Sequence, residues 1–165
     1  IWDSKNLHLV HEFPKKNHIL THCDFSSDGY YCLTSCNGFN GEGCEITMWD
    51  IRQQKIIQEY KGHEESVTCA KFLSQHVVSK NIIVSVSADQ TVRIWNIDDG
   101  NCLWSEMVSA GSDLLACIGF GDGNIVVSGL NATLCHIRLL AKAGRPYLQC
   151  ISMQTVARCI DRRHS

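Results

Sequence analysis

Gly62-His63-Glu64-Glu65-Ser66-Val67-Thr68-Cys69-Ala70-Lys71-Phe72 is followed, after a short spacer, by Val84-Ser85-Val86-Ser87-Ala88-Asp89-Gln90-Thr91-Val92-Arg93-Ile94-Trp95-Asn96. Short runs rich in β-branched residues, broken by small polar turn residues, read as strands joined by tight turns. Val67–Phe72, Ile82–Ser87, Thr91–Asn96 and Asn101–Met107 form a set of four, a to d in order. Ala88-Asp89-Gln90 is the turn between b and c, and Asp98-Asp99-Gly100 the turn between c and d.

The pattern recurs. Trp-Asp stands at Trp2-Asp3 and Trp49-Asp50, and Trp-Asn at Trp95-Asn96. A recurrence of roughly 40–50 residues ending in this dipeptide marks repeated four-stranded units. The stretch from Gly62 to Asn96 resembles a WD40 repeat, the blade of a β-propeller. The resemblance implies an all-β fold, here an incomplete arc of four-stranded antiparallel blades.

On that scheme residues 1–13 are the second half of a truncated blade, with strands Ile1–Asp3 and Leu7–Phe13. Residues 14–60 form a blade with strands Ile19–Phe25, Tyr30–Ser35, Glu45–Asp50 and Lys55–Tyr60. Residues 61–107 form the most regular blade, and 108–153 a degenerate one with strands Leu114–Phe120, Asn124–Leu130 and Thr133–Leu139. Tyr147–Met153 is a further strand candidate, and 154–165 reads as a polar tail. A repeat cannot bury its faces without neighbours, so the expectation is a segment of a larger ring.

The resemblance also assigns a four-member staple of His63, Ser85, Asp89 and Trp95. In it the indole of Trp95 donates to Ser85, which reaches His63, which reaches Asp89. The staple is expected to be incomplete elsewhere. Trp49 and Thr34 fit in the first blade, but Lys15-Lys16 stands near the histidine position, with His18 as a displaced substitute. In the third, Gly111 replaces the histidine, His136 falls near the tryptophan position, and no aspartate matches. Those blades are expected to hold by packing.

Composition narrows the function classes. The 165 residues carry a net charge of −2 with 19% charged residues, which gives no basic footprint for nucleic acid. No apolar run is long enough to span a membrane. The ten cysteines include no Cys-x-x-Cys pair, and several sit inside strand-like apolar runs. They read as small hydrophobes of a reduced, intracellular (cytoplasmic or nuclear) protein rather than as a zinc or disulfide framework. His18-x-x-x-His22 has zinc-like helical spacing, but a strand entry separates the two rings. Asn131-Ala132-Thr133 is a glycosylation sequon, meaningful only in a secreted chain.

A Ser/His/Asp set raises the alternative of a hydrolase, against which Ser85 lies mid-strand and no Gly-x-Ser-x-Gly elbow is present. No cofactor, metal site or catalytic residue is expected. The resemblance implies a non-enzymatic scaffold that binds other proteins or peptides through its d–a and b–c loops. The candidates on that face are Phe39, Glu42, Glu64, Ser66 and Thr68. The insertion Asn37–Cys44 supplies Phe39 as an apolar anchor, with its glycines read as a source of mobility. Trp49-Asp50-Ile51-Arg52 matches a motif of cullin-4 ubiquitin-ligase substrate receptors, in which Arg52 would contact the ligase adaptor.

Overall fold

The computed structural model describes residues 1–73, 82–108, 111–120, 123–142 and 145–155. Twelve strands form three four-stranded antiparallel sheets, each running in chain order from its first strand to its fourth. The first sheet holds β1 (Leu20–Phe25), β2 (Tyr31–Cys36), β3 (Ile46–Asp50) and β4 (Lys55–Tyr60). The second holds β5 (Val67–Leu73), β6 (Ile82–Ser87), β7 (Thr91–Asn96) and β8 (Cys102–Met107). The third holds β9 (Leu114–Phe120), β10 (Asn124–Gly129), β11 (Thr133–Lys142) and β12 (Arg145–Thr155). Among the described residues there is no helix.

The sheets stack face to face. In β6, Ile82, Val84 and Val86 join one apolar cluster with Leu114, Cys117, Ile125, Val127, Cys135, Ile137 and Leu139 of the third sheet. Ile83 points the other way, with Val67, Ala70 and Trp95, onto Leu33, Ile46, Met48 and Tyr60 of the first. β6 is buried on both faces: Ile82, Val84 and Val86 pack on the third sheet, while the serines that alternate with them, Ser85 and Ser87, are buried with hydrogen-bond partners. Each such buried Ile or Val contributes about 1.5–3 kcal/mol.

Each sheet carries two bulges at matching places. In the a strands they fall at Thr21, Thr68 and Leu115, and in the d strands at Ile57, Leu103 and Ile151. A bulge resets the side-chain alternation by one residue and turns a side chain out of the ladder. Thr21 and Thr68 are turned toward the next sheet. Thr21 donates its hydroxyl to the Val67 carbonyl, and Thr68 donates to the Leu114 carbonyl at 2.7 Å. Asp24 adds a second tie between the first two sheets: one carboxylate oxygen is 3.0 Å from Lys71 Nζ, and the other accepts the Phe72 N–H at 3.0 Å.

Some expectations shift. The two strands expected within residues 1–13 reduce to one bridged pair, Trp2 opposite Leu9, with Trp2 exposed. Two short segments without further partners do not sustain a ladder. β11 and β12 extend beyond the expected ends, to Lys142 and Thr155. Most of the expected polar tail lies outside the described residues. The outer face of the third sheet leaves Ile118, Phe120 and Leu134 exposed, whereas Phe13 covers Trp49 on the outer face of the first, ring centroids 4.8 Å apart.

Candidate functional site

The second blade contains one continuous polar chain. Trp95 Nε1 donates to Ser85 Oγ at 2.8 Å, Ser85 Oγ lies 2.7 Å from His63 Nε2, and His63 Nδ1 lies 2.8 Å from Asp89 Oδ2. The indole can only donate, so the serine proton goes to Nε2, and the imidazole carries its hydrogen on Nδ1 toward the carboxylate. Asp89 also accepts the Thr91 hydroxyl and the backbone N–H groups of Thr91 and Glu64. Burial lowers the His63 pKa from its ordinary value, partly offset by Asp89. Burial alone would raise that of Asp89, but the hydrogen bonds from His63 and Thr91 outweigh it and hold the carboxyl far below the carboxylate range. Ser85 is 0% exposed and engaged on both sides.

The first blade keeps part of this chain and rebuilds the rest. Trp49 Nε1 donates to Thr34 Oγ1 at 2.8 Å. Counting back from Leu20, which takes the place of Val67, the histidine position is Lys16. Its ammonium is inserted between Glu59 Oε1 at 2.6 Å and Glu45 Oε1 at 3.0 Å. Glu45 stands four residues before Trp49, as Thr91 stands four before Trp95. Burial would lower the Lys16 pKa, but the two glutamates outweigh it and raise it. An ion pair therefore replaces the His–Asp pair, and packing is not the sole support expected from the sequence. His18 is not the substitute; its ring lies against Gly43, where a Cβ would come within 2.4 Å of it.

The third blade replaces the polar chain with apolar side chains. The ladders align Ile125 with Ile83, so Val127 takes the place of Ser85 and Ile137, not His136, the place of Trp95. Asn131 occupies the aspartate position, in a tight turn with Asn131 and Ala132 both at positive φ. Residue 110, rather than Gly111, aligns with His63 and lies outside the described residues. His136 bonds Asn124 Oδ1 at 3.0 Å.

The insertion Asn37–Cys44 is an ordered element. Phe39 and Glu42 exchange backbone hydrogen bonds around Asn40-Gly41, whose φ values of 52° and 79° make a primed two-residue hairpin turn. Gly41 and Gly43 thus supply left-handed backbone, and the reading of these glycines as mobility is corrected. Gly38 is small because a Cβ there would collide with the Glu42 carbonyl. The hairpin is docked on the next blade: Phe39 bridges Glu65, and the Gly41 N–H donates to the Glu64 carbonyl at 2.8 Å. The Phe39 side chain remains 65% exposed.

Of the partner-binding candidates, the fold gathers Phe39, Glu42, Glu64 and Ser66 at the end of the sheets where β2 leads into β3. Thr68 stands apart, half-buried between blades. Arg52 lies at the other end of β3, its guanidinium 4.0 Å from the centroid of the Tyr30 ring. No ion pair joins Glu42, Glu64 or Glu65 among the described residues. A cavity of about 360 Å³ lies elsewhere, on the outer flank of the first blade, lined by Phe13, Lys15, His18, Leu20, Cys32 and Trp49. Among the described residues no cluster of three or more His, Cys, Asp or Glu side chains is placed to hold a metal ion.

Comparison with known proteins agrees with this architecture. The family described as WD domain, G-beta repeat matches residues 54–96, which contain His63, Ser85, Asp89 and Trp95. The chain is 29% identical over 131 residues to the nuclear distribution protein nudF of Aspergillus niger, covering 78% of this chain and 28% of that protein. It is 28% identical over 102 residues to the guanine nucleotide-binding protein G(I)/G(S)/G(T) subunit beta-1 of Homarus americanus, covering 61% of this chain and 28% of that protein. The chain spans less than a third of the length of either relative. The second of the three a-to-d blades, which carries the polar staple, is thus matched to a WD40 repeat, and the first and third repeat its strand order.

Proposed function

We propose that the chain is a non-enzymatic scaffold that docks a protein partner on the face formed by the Phe39 hairpin and the loop from His63 to Ser66. The observation that carries this reading is Phe39 itself: a large apolar ring, mostly exposed, on a hairpin braced by the neighbouring blade. A rigid aromatic at a surface anchors a partner at small entropic cost. Glu42, Glu64 and Glu65 surround its backbone and favour a partner with basic groups at the rim.

Ser85 supports the non-enzymatic reading, because a hydroxyl without exposure and already bonded to Trp95 and His63 cannot reach a substrate. The ligase-receptor alternative rests on the four-residue motif at Arg52, and the stacking of that arginine on Tyr30 adds nothing in its favour. The reduced, cytoplasmic or nuclear setting rests on cysteines such as Cys32, Cys36 and Cys44, buried as free thiols.

The test is proximity labelling in cells with the wild-type chain, Phe39→Ala and Glu42→Ala. Loss of a common set of neighbours in Phe39→Ala, with unaltered thermal unfolding, is the expected result. An unchanged set overturns the reading.

A further inference from the structure

Two thiols face each other where the innermost strands of the second and third blades run side by side. Cys69 on β5 and Cys117 on β9 have sulfur atoms 3.6 Å apart, and Cys69 Sγ also lies 3.6 Å from the Cys117 carbonyl oxygen. The approach is braced. Thr68, adjacent to Cys69, donates its hydroxyl to the Leu114 carbonyl and so holds β5 against β9 at this level. Gly119 keeps the strands close one step further on, since a Cβ there would meet Leu73 Cδ2 at 2.1 Å.

The arrangement belongs to one blade boundary. Counted from the matching bulges, His22 takes the place of Cys69, and Ala70 that of Cys117, at the boundary between the first two blades. No sulfur pair forms there. The cysteines are therefore an addition at the second boundary rather than part of the repeat.

We propose that Cys69 and Cys117 are a redox-modification site, closing to an inter-blade disulfide under hydroperoxide. A disulfide has sulfurs about 2.05 Å apart, so a shift of about 1.5 Å, within the reach of χ1 rotation and small strand movement, completes the bond. Hydrogen bonding from Cys117 draws the Cys69 thiol below its ordinary pKa, while Cys117 holds its own proton more firmly. Cys69 is the attacking thiolate and Cys117 the resolving group.

The electrons balance with one molecule of hydrogen peroxide. The Cys69 thiolate attacks one peroxide oxygen, the O–O bond breaks, and the departing hydroxide takes up the proton that Cys69 released. Cys69 is then a sulfenic acid. The Cys117 sulfur attacks the Cys69 sulfur, the S–O bond breaks, and the Cys117 proton leaves with the hydroxyl as a second water. Two thiols are oxidised by two electrons and the peroxide is reduced to two waters. The bond closes a loop containing the rest of the second blade, β6 to β8, and reduction by a small thiol reverses it.

The test treats the folded chain with limiting hydrogen peroxide, blocks remaining thiols with N-ethylmaleimide, and maps peptides by mass spectrometry. A peptide joining Cys69 to Cys117, removed by dithiothreitol and absent in Cys69→Ser and Cys117→Ala, is expected. The oxidised wild type unfolds roughly 5–10 °C higher than the reduced form, and neither variant shows the shift. Recovery of Cys69 and Cys117 as free thiols while other cysteines oxidise overturns the proposal. So does a disulfide map in which either pairs with a different cysteine.

Discussion

Thr68 and Leu114 join two blades through a single hydrogen bond, the threonine hydroxyl to the leucine carbonyl at 2.7 Å. Thr21 makes the same bond to Val67 one blade earlier, from the same bulged position. At the third bulge stands Leu115, exposed and unable to donate. A repeated bulge thus becomes a repeated inter-blade pin, provided that the residue on it carries a hydroxyl.

Thr68→Val keeps the shape and removes the donor. The Leu114 carbonyl loses a partner in a half-buried setting, at a cost of about 1–2 kcal/mol. Urea unfolding followed by tryptophan fluorescence measures it. A midpoint equal to wild type rules out the pin as a stabilising element.

Removing His63 leaves Ser85 without its acceptor and Asp89 without its main donor. His63→Ala should destabilise the chain by about 1–3 kcal/mol, read as a lower denaturant midpoint at unchanged slope.

Acid should weaken the same chain of bonds. The folded His63 pKa lies below its ordinary 6.5, so the unfolded chain takes up a proton more readily than the folded one. Stability from this group is full above the unfolded pKa, about 6.5, and is lost as pH falls through that value toward the folded pKa. Asp89, also depressed, contributes above the unfolded carboxylate pKa, about 3.9, and loses its share as pH falls toward its folded value. His63→Gln should flatten the fall in unfolding midpoint between about pH 7 and pH 5. An equal fall in the variant would assign the acid sensitivity to other groups, such as His22, which burial also lowers.

Lys16→Ala leaves Glu45 facing Glu59 with their shared cation gone. Lys61 still neutralises Glu59 from the solvent side, at 3.1 Å. Because the ion pair is only partly shielded from water, a loss of about 1–3 kcal/mol is expected, less than for a fully buried pair. Thermal unfolding of Lys16→Ala beside Lys15→Ala checks it, and the Lys15 change should be within about 0.5 kcal/mol of wild type.

Val127→Ser tests whether the third blade has lost its polar chain for good. The new hydroxyl would face Ile137, which has nothing to donate, so burial without a partner should cost about 1–3 kcal/mol. A neutral result would show that another group supplies the hydrogen bond.

Strand rhythm and turn chemistry were readable from the chain, because both act over a few residues. Ile82–Ser87 and Thr91–Asn96 carry their β-branched runs, and Asp89 carries its turn, regardless of what packs against them. The staple of the second blade is what the resemblance to a WD40 repeat implies, and its four side chains meet in one hydrogen-bonded chain. Lys16 and Glu45 were not readable from the chain, since a lysine at the histidine position signals nothing until the Leu20 ladder fixes its depth. His136 lies one residue from the tryptophan place for the same reason: only the β10–β11 ladder, which sets Ile137 opposite Ile125, fixes which side chain takes it.

The sequence alone determined the four-stranded unit and its recurrence, since alternation, turn residues and the Trp-Asp or Trp-Asn ends are local. Only the tertiary structure decided which side chains meet between units. It set Thr68 against Leu114, Cys69 against Cys117, and the Phe39 hairpin against Glu64. Residues about 25–50 positions apart are brought together there by bulges and by stacking of sheets. A one-residue change of register would point each of those side chains to the opposite face.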